Sequence, residues 1–187
     1  ISYRRADRPE FAERVRDWMI NRYGRDHVIM DFDNIPPFVT FEDYICERIE
    51  QSDVILALIG SDWLLHLHSK LANGDMDFVR TELETALRLG KVIAPIRIEN
   101  APMPSAAALP DSLKPIAHIN PASMYDGAEF EQQIEWITRT LESILVKREV
   151  KNVRAEARTL DKTLAWRRAQ HPMLSNTDPV LITLMED

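Results

Sequence analysis

Two glutamates, Glu82 and Glu84, lie two residues apart in the stretch 77–89, DFVRTELETALRL. The stretch is rich in Leu, Ala and Glu, has no Pro or Gly inside and meets Gly90, so it is expected to be a helix. At about 100° per residue, Phe78, Val79, Leu83, Ala86 and Leu89 share an apolar arc, and Glu82 falls within it. Glu84 points away, near Arg80 and Arg88. A carboxylate on an apolar face needs water from a cleft, a partner or a raised pKa. Held in a cleft, it can stabilise positive charge that develops on a bound molecule. Glu82 is therefore the lead site residue. A helix-end carboxylate at the rim of the core satisfies the same pattern equally well.

Other chemistries have weaker support. Arg4 and Arg5 follow at the C-terminal tip of the first strand-like run, Ile1-Ser2-Tyr3. Asp31 and Asp33 could accept a phosphoryl group. That chemistry expects an Asp at the end of the third strand and a Thr or Ser at the end of the fourth. Ile59-Gly60 and Ile96-Arg97 stand there instead. His66 and His68 would point to different faces of a helix, so no metal site is expected. GxGxxG, Walker A, CxxC and HExxH motifs are all absent.

The elements that would position these residues alternate. Ile1-Ser2-Tyr3 reads as the end of a strand. Asp7, Pro9 and Glu10 read as the capped start of a helix that buries Phe11, Ala12, Val15, Trp18 and Met19 and stops at Gly24. Val28–Met30 reads as a buried strand, and the two prolines of Asp31–Pro37 demand a loop. Thr40 and Asp43 open a helix with Phe41, Tyr44, Ile45 and Ile49 inward. Cys46 within it is read as structural. Val54–Ile59 is a strand apolar on both faces. A short helix near Trp63, a loop at Leu71–Met76 and the Glu82 helix follow. Val92–Ile98, interrupted by Pro95, is a fourth strand. Residues 99–115 are a loop, Ala117–Asn120 a fifth strand, and Glu129–Leu145 a helix.

This alternation predicts an α/β fold: a flavodoxin-like, doubly wound, five-stranded parallel sheet with helices on both faces, plus a C-terminal helical extension. Ligands of such sheets bind at the carboxyl ends of the strands. Arg4, Arg5, Asp31, Asp33, Gly60 and the loop before Glu82 would gather there.

Charge divides the chain at about residue 146. Residues 1–146 carry 15 Lys and Arg against 24 Asp and Glu, whereas residues 147–168 carry eight against three. A domain this acidic is a poor nucleic-acid binder, and the basic stretch is read as a solvated helix face. We therefore expect one domain at 1–146 and a charged helical connector at 147–187. The connector helix would run to about Ala169 and end at His171-Pro172, leading toward a sensor or oligomerising domain. No apolar run reaches 18 residues, so no membrane span is expected. A single cysteine fits a reducing, cytoplasmic setting. The first residue is Ile, so the protein is expected to start earlier.

Several motifs in register resemble the TIR domain over roughly residues 1–145. They are ISYRR at the first strand, MDFDNIPP then FED around the second, SDVILALIG at the third, and DFVRTELETAL followed by GKVIAPI. The similarity is strongest to bacterial TIR domains and to the TIR domain of the axonal NAD-cleaving enzyme. It implies cleavage of NAD+ at the nicotinamide bond, with NAD+ as substrate and no further cofactor. The catalytic glutamate of the family falls on Glu82, in the context Phe78-Val79-Arg80-Thr81-Glu82. The aromatic near the nicotinamide falls on Phe41, and the first-strand motif on Tyr3, Arg4 and Arg5. A Trp of the family corresponds to Met103, which weakens one stacking contact. The family loop I-P-P-G is matched by Ile35, Pro36, Pro37 and Phe38, preceded by Asp33. Phe38 replaces a Gly that can adopt positive φ cheaply.

The resemblance therefore implies an NAD+ glycohydrolase giving nicotinamide and ADP-ribose or a cyclic isomer, activated by self-assembly with other TIR domains in defence or signalling. Its alternative is a non-enzymatic TIR–TIR adaptor. The loop from Asp33 to Thr40 is expected to pack on a neighbouring TIR domain.

Overall fold

A computed structural model of the chain describes residues 1–30 and 37–170, with side chains to residue 167. The expected loop residues Asp33, Ile35 and Pro36, the phosphoacceptor candidate Asp31, and the break at Pro172 lie outside the described residues.

The sheet is parallel and has three strands among the described residues, in the order β1 (Val54–Ile59), β2 (Val92–Ile98), β3 (Ala122–Met124). β1 and β2 pair along their length, from Val54 opposite Val92 to Ile59 opposite Arg97. β3 joins only from Ile96 onward. Pro95, which has no N–H to give, therefore falls where β2 has a neighbour on one side only.

Two expected strands are reduced. Ser2 forms a single bridge to Ala57, its N–H donating to Leu56 O at 2.8 Å and its carbonyl accepting from Leu58 N at 2.9 Å. Val28–Met30 forms no strand, although the Ile1 amino group donates to Ile29 O. The expected fifth strand is displaced. Asp111–His118 is a 3-10 helix, and pairing begins only at Ala122.

Strand periodicity builds two cores. Ile55, Ala57 and Ile59 of β1 face Ile45 and Ile49 of α2 (Phe41–Glu50), Trp63 and Leu67 of α3 (Trp63–Asn73), and Val79, Leu83 and Ala86 of α4 (Phe78–Arg88). Leu56 and Leu58 face the opposite way. They meet Phe11, Val15 and Met19 of α1 (Pro9–Tyr23), with Phe130, Ile134 and Ile137 at the start of α5 (Phe130–Gln170). Each fully buried Leu or Ile contributes about 1.5–3 kcal/mol.

Among α1, α2 and α4, helix starts and stops follow local chemistry with one exception. Thr40 caps α2 by accepting from Asp43 N at 3.1 Å. Gly90, at φ 61, turns the chain out of α4 while Lys91 N donates to Ala86 O at 2.9 Å. The exception is α1. Its cap is Arg8 at φ 59, whose side chain makes no capping hydrogen bond, in place of the expected Asp7 cap. Asp7 is instead buried.

The chain divides into two compact units, Ile1–Leu141 and Glu142–Asp187. No described helix is long and apolar enough to cross a membrane.

Candidate active site

The chemistry-bearing residues converge on the start of α4. Asp77 precedes it in extended backbone, and its Oδ1 accepts from Arg80 N at 3.2 Å. The same carboxylate receives Arg4 in a bidentate pair, Nη1 to Oδ1 at 3.1 Å and Nη2 to Oδ2 at 2.8 Å. Both side chains are buried, and the guanidinium lies 4.9 Å from the Trp63 ring centroid. This arrangement ties residue 4 to residue 77 and fixes where α4 begins. Glu82 follows one turn later on the buried face, 6% exposed.

A cavity of about 570 Å³ opens over this corner, within the usual range of ligand sites. Tyr3, Arg4, Arg5, Phe41, Phe78 and Glu82 line it. Phe78, on the apolar arc of the helical wheel and expected among the substrate-binding residues, is half exposed. Its ring lies 4.2 Å from that of Phe41 between centroids, tilted at 46°. Position 78 is the first residue of α4 and stands clear of the sheet, so the apolar arc is buried only from Val79 onward.

Arg4 lines the cavity but commits both terminal nitrogens to Asp77. Arg5 is exposed at the rim. Met103 does not line the cavity and packs on the core that contains Trp63. Glu84 is away from the cavity. It accepts from Arg80 Nε at 2.7 Å and from the Ser112 hydroxyl.

The cavity also holds residues that the sequence reading passed over. His66 and Lys70 line it from α3, four residues apart and hence on one helix face. That spacing was the available signal, and comparing His66 with His68 alone concealed it. His68 instead places its Nε2 2.8 Å from Ala108 O. The pairing of Asp77 with Arg4 was not legible, because 73 residues separate them.

Asp7 is buried close to this corner. Burial pushes its carboxyl above the ordinary 3.8, the Asp62 carboxylate adds to that push, and His66 and Arg4 oppose it. It lies so close to Gly60 that a methyl group there would sit 2.1 Å from Asp7 Oδ1. Shortly before α2, Phe38 has φ 69 and a fully exposed ring. It keeps the left-handed conformation that a Gly would adopt at lower cost.

A family model described as TIR domain matches residues 1–144. No curated protein sequence matches the chain. Among solved structures, the chain is similar to the TIR domains of the activated Roq1 resistosome directly recognizing the pathogen effector XopQ. The TM-score is 0.54 at 13% identity, covering 75% of this chain and 96% of that one.

Proposed function

The chain belongs to the TIR domain family, and we propose that it is an NAD+ glycohydrolase with Glu82 as its catalytic carboxylate. The observation that carries this reading is the burial of Glu82 in a cavity lined by an aromatic pair and by cationic residues. The nicotinamide of NAD+ already bears positive charge, so it leaves without a proton donor. As the C1′–N bond breaks, positive charge moves to the ribose, and the Glu82 carboxylate stabilises it and holds the ribose hydroxyls. Phe41 and Phe78 take the nicotinamide. Arg5, His66 and Lys70 face the diphosphate side, while Arg4 positions α4 through Asp77 and does not bind phosphate itself. Water adds at C1′ and loses a proton, giving ADP-ribose; attack by a group of the same molecule would give a cyclic isomer.

In this proposal the fold is the five-stranded, flavodoxin-like sheet, with residues 1–3 and 28–30 lying along the free edge of β1. The setting is cytoplasmic defence or signalling, and the active form is an assembly of TIR domains. Phe38 supports assembly, because an exposed ring in a costly backbone conformation is best explained by a neighbour that covers it. A non-enzymatic TIR–TIR module would account for Phe38 equally, but gives no use to the cavity.

The deciding experiment compares Glu82→Gln with Glu84→Gln in nicotinamide release from NAD+ at high protein concentration. Glu82→Gln should lose about 3 kcal/mol of transition-state stabilisation, roughly a hundredfold in rate, with the fold intact. Glu84→Gln should lose a few tenths of a kcal/mol of surface pairing and almost no activity. Equal activity in both variants would remove Glu82 from the mechanism. An inactive native chain would favour the adaptor. Phe38→Asp should abolish the rise of specific activity with concentration; a native chain whose specific activity is independent of concentration would overturn the assembly reading.

A further inference from the structure

The second unit contains the later part of α5, residues 142–170, whose charged composition hides a regular apolar seam. Val146, Val150, Val153, Ala157, Leu160 and Leu164 recur at alternating steps of four and three residues. This is the spacing of d and a positions in a heptad repeat, with Val150, Ala157 and Leu164 at a and Val146, Val153 and Leu160 at d. The first five are exposed and Leu164 is half-buried. The seam is about 27 Å long at 1.5 Å per residue.

The flanking charges identify the occupant. The g positions are Glu142, Glu149 and Glu156, and the corresponding e positions are Lys147, Arg154 and Asp161. In a parallel pair of identical helices each g residue faces the e residue five positions on in its partner. Glu142 then meets Lys147 and Glu149 meets Arg154, on both sides of the seam, and only Glu156 meets a like charge at Asp161. An antiparallel pair would set the acidic g column against itself. We propose that this helix face pairs with the same face of a second copy of the chain, as a parallel, in-register, left-handed coiled coil. A seam of three heptads with Ala157 at its centre makes a weak dimer. Its role is to raise the local concentration of the attached domains. This surface is separate from Phe38 and does not depend on NAD+ cleavage.

The test is sedimentation equilibrium of the full chain carrying Phe38→Asp, so that contacts through the assembly loop do not contribute. A dimer should form. Adding Val153→Asp with Leu160→Asp should weaken it at least tenfold while leaving the melting temperature of the TIR domain unchanged. Asp161→Lys should tighten it severalfold by removing the like-charge pair. With Cys46→Ser, the substitution Val146→Cys should give a disulfide-linked dimer on oxidation, because parallel register places the two residues opposite each other. Association that Phe38→Asp alone abolishes, a dimer that survives the two aspartates, or a dimer in which Val146→Cys fails to cross-link would each overturn the proposal.

Discussion

Arg4 and Arg8 are four residues apart, each reaches an acidic partner more than seventy residues away, and their surroundings give those pairs different weight. Arg4 is buried, meets Asp77 in a bidentate fork and lies against Trp63. Arg8 is a third exposed and divides itself among Glu10, Glu99 and Asp126, at 2.8, 2.9 and 3.4 Å. More contacts do not make the stronger tie. Water competes for every partner of Arg8, whereas neither partner in the Arg4–Asp77 pair can return to water without opening the corner. The buried pair thus fixes the start of α4 and the approach to Glu82. The exposed cluster ties together two separate backbone positions of positive φ, Arg8 at 59 and Glu99 at 56.

The sharpest way to break this comparison is Asp77→Ala. It leaves the Arg4 charge buried and uncompensated, so stability should fall by about 3–5 kcal/mol in urea titration. The double variant Arg4→Met, Asp77→Ser should recover most of that loss, since it keeps a capping oxygen and buries no charge. A loss below 1 kcal/mol from Asp77→Ala would show that the pair is wetter than its geometry implies.

Asp7 gives an intermediate effect with a distinctive pH dependence. Its folded-state pKa lies above 3.8, so the folded chain keeps a proton there that the unfolded chain releases. The contribution of this group to stability is therefore greatest below 3.8 and declines as pH rises through the folded value. Asp7→Asn should remove that decline. The variant should gain on the native chain at neutral pH, with the advantage shrinking as pH approaches 3.8. Urea midpoints taken across this range check the sign.

Arg8→Ala should have the smallest effect, under about 1 kcal/mol, and the loss should vanish in 1 M salt, where screening acts over about 3 Å. A larger, salt-resistant loss would place Arg8 in the same class as Arg4.

What the sequence made legible follows the same division. Thr40, Gly90 and Val54–Ile59 were readable because caps, stops and apolar runs are settled by near neighbours. Arg8 as the cap of α1 was not readable, because its backbone is held by partners 91 and 118 residues away. A strand of three residues, Ala122–Met124, carries too little pattern to be placed within a few positions. Glu82 stood out on the helical wheel alone, but the wheel could not show that Phe78 leaves the core to meet Phe41. In the second unit a count of charges suggested a solvated helix and obscured the heptad, because composition discards order.

The close approach of Gly60 to Asp7 also constrains how this chain can vary. Gly74 has nothing within 4 Å of where a side chain would begin and owes its place to a φ of 69, whereas Gly60 is constrained by space alone. Every single-base missense change in a glycine codon adds a Cβ, so position 60 should reject them all while Asp7 is present. Shortening residue 7 to Gly would open that space. The constraint runs one way: a change at 60 waits for a change at 7.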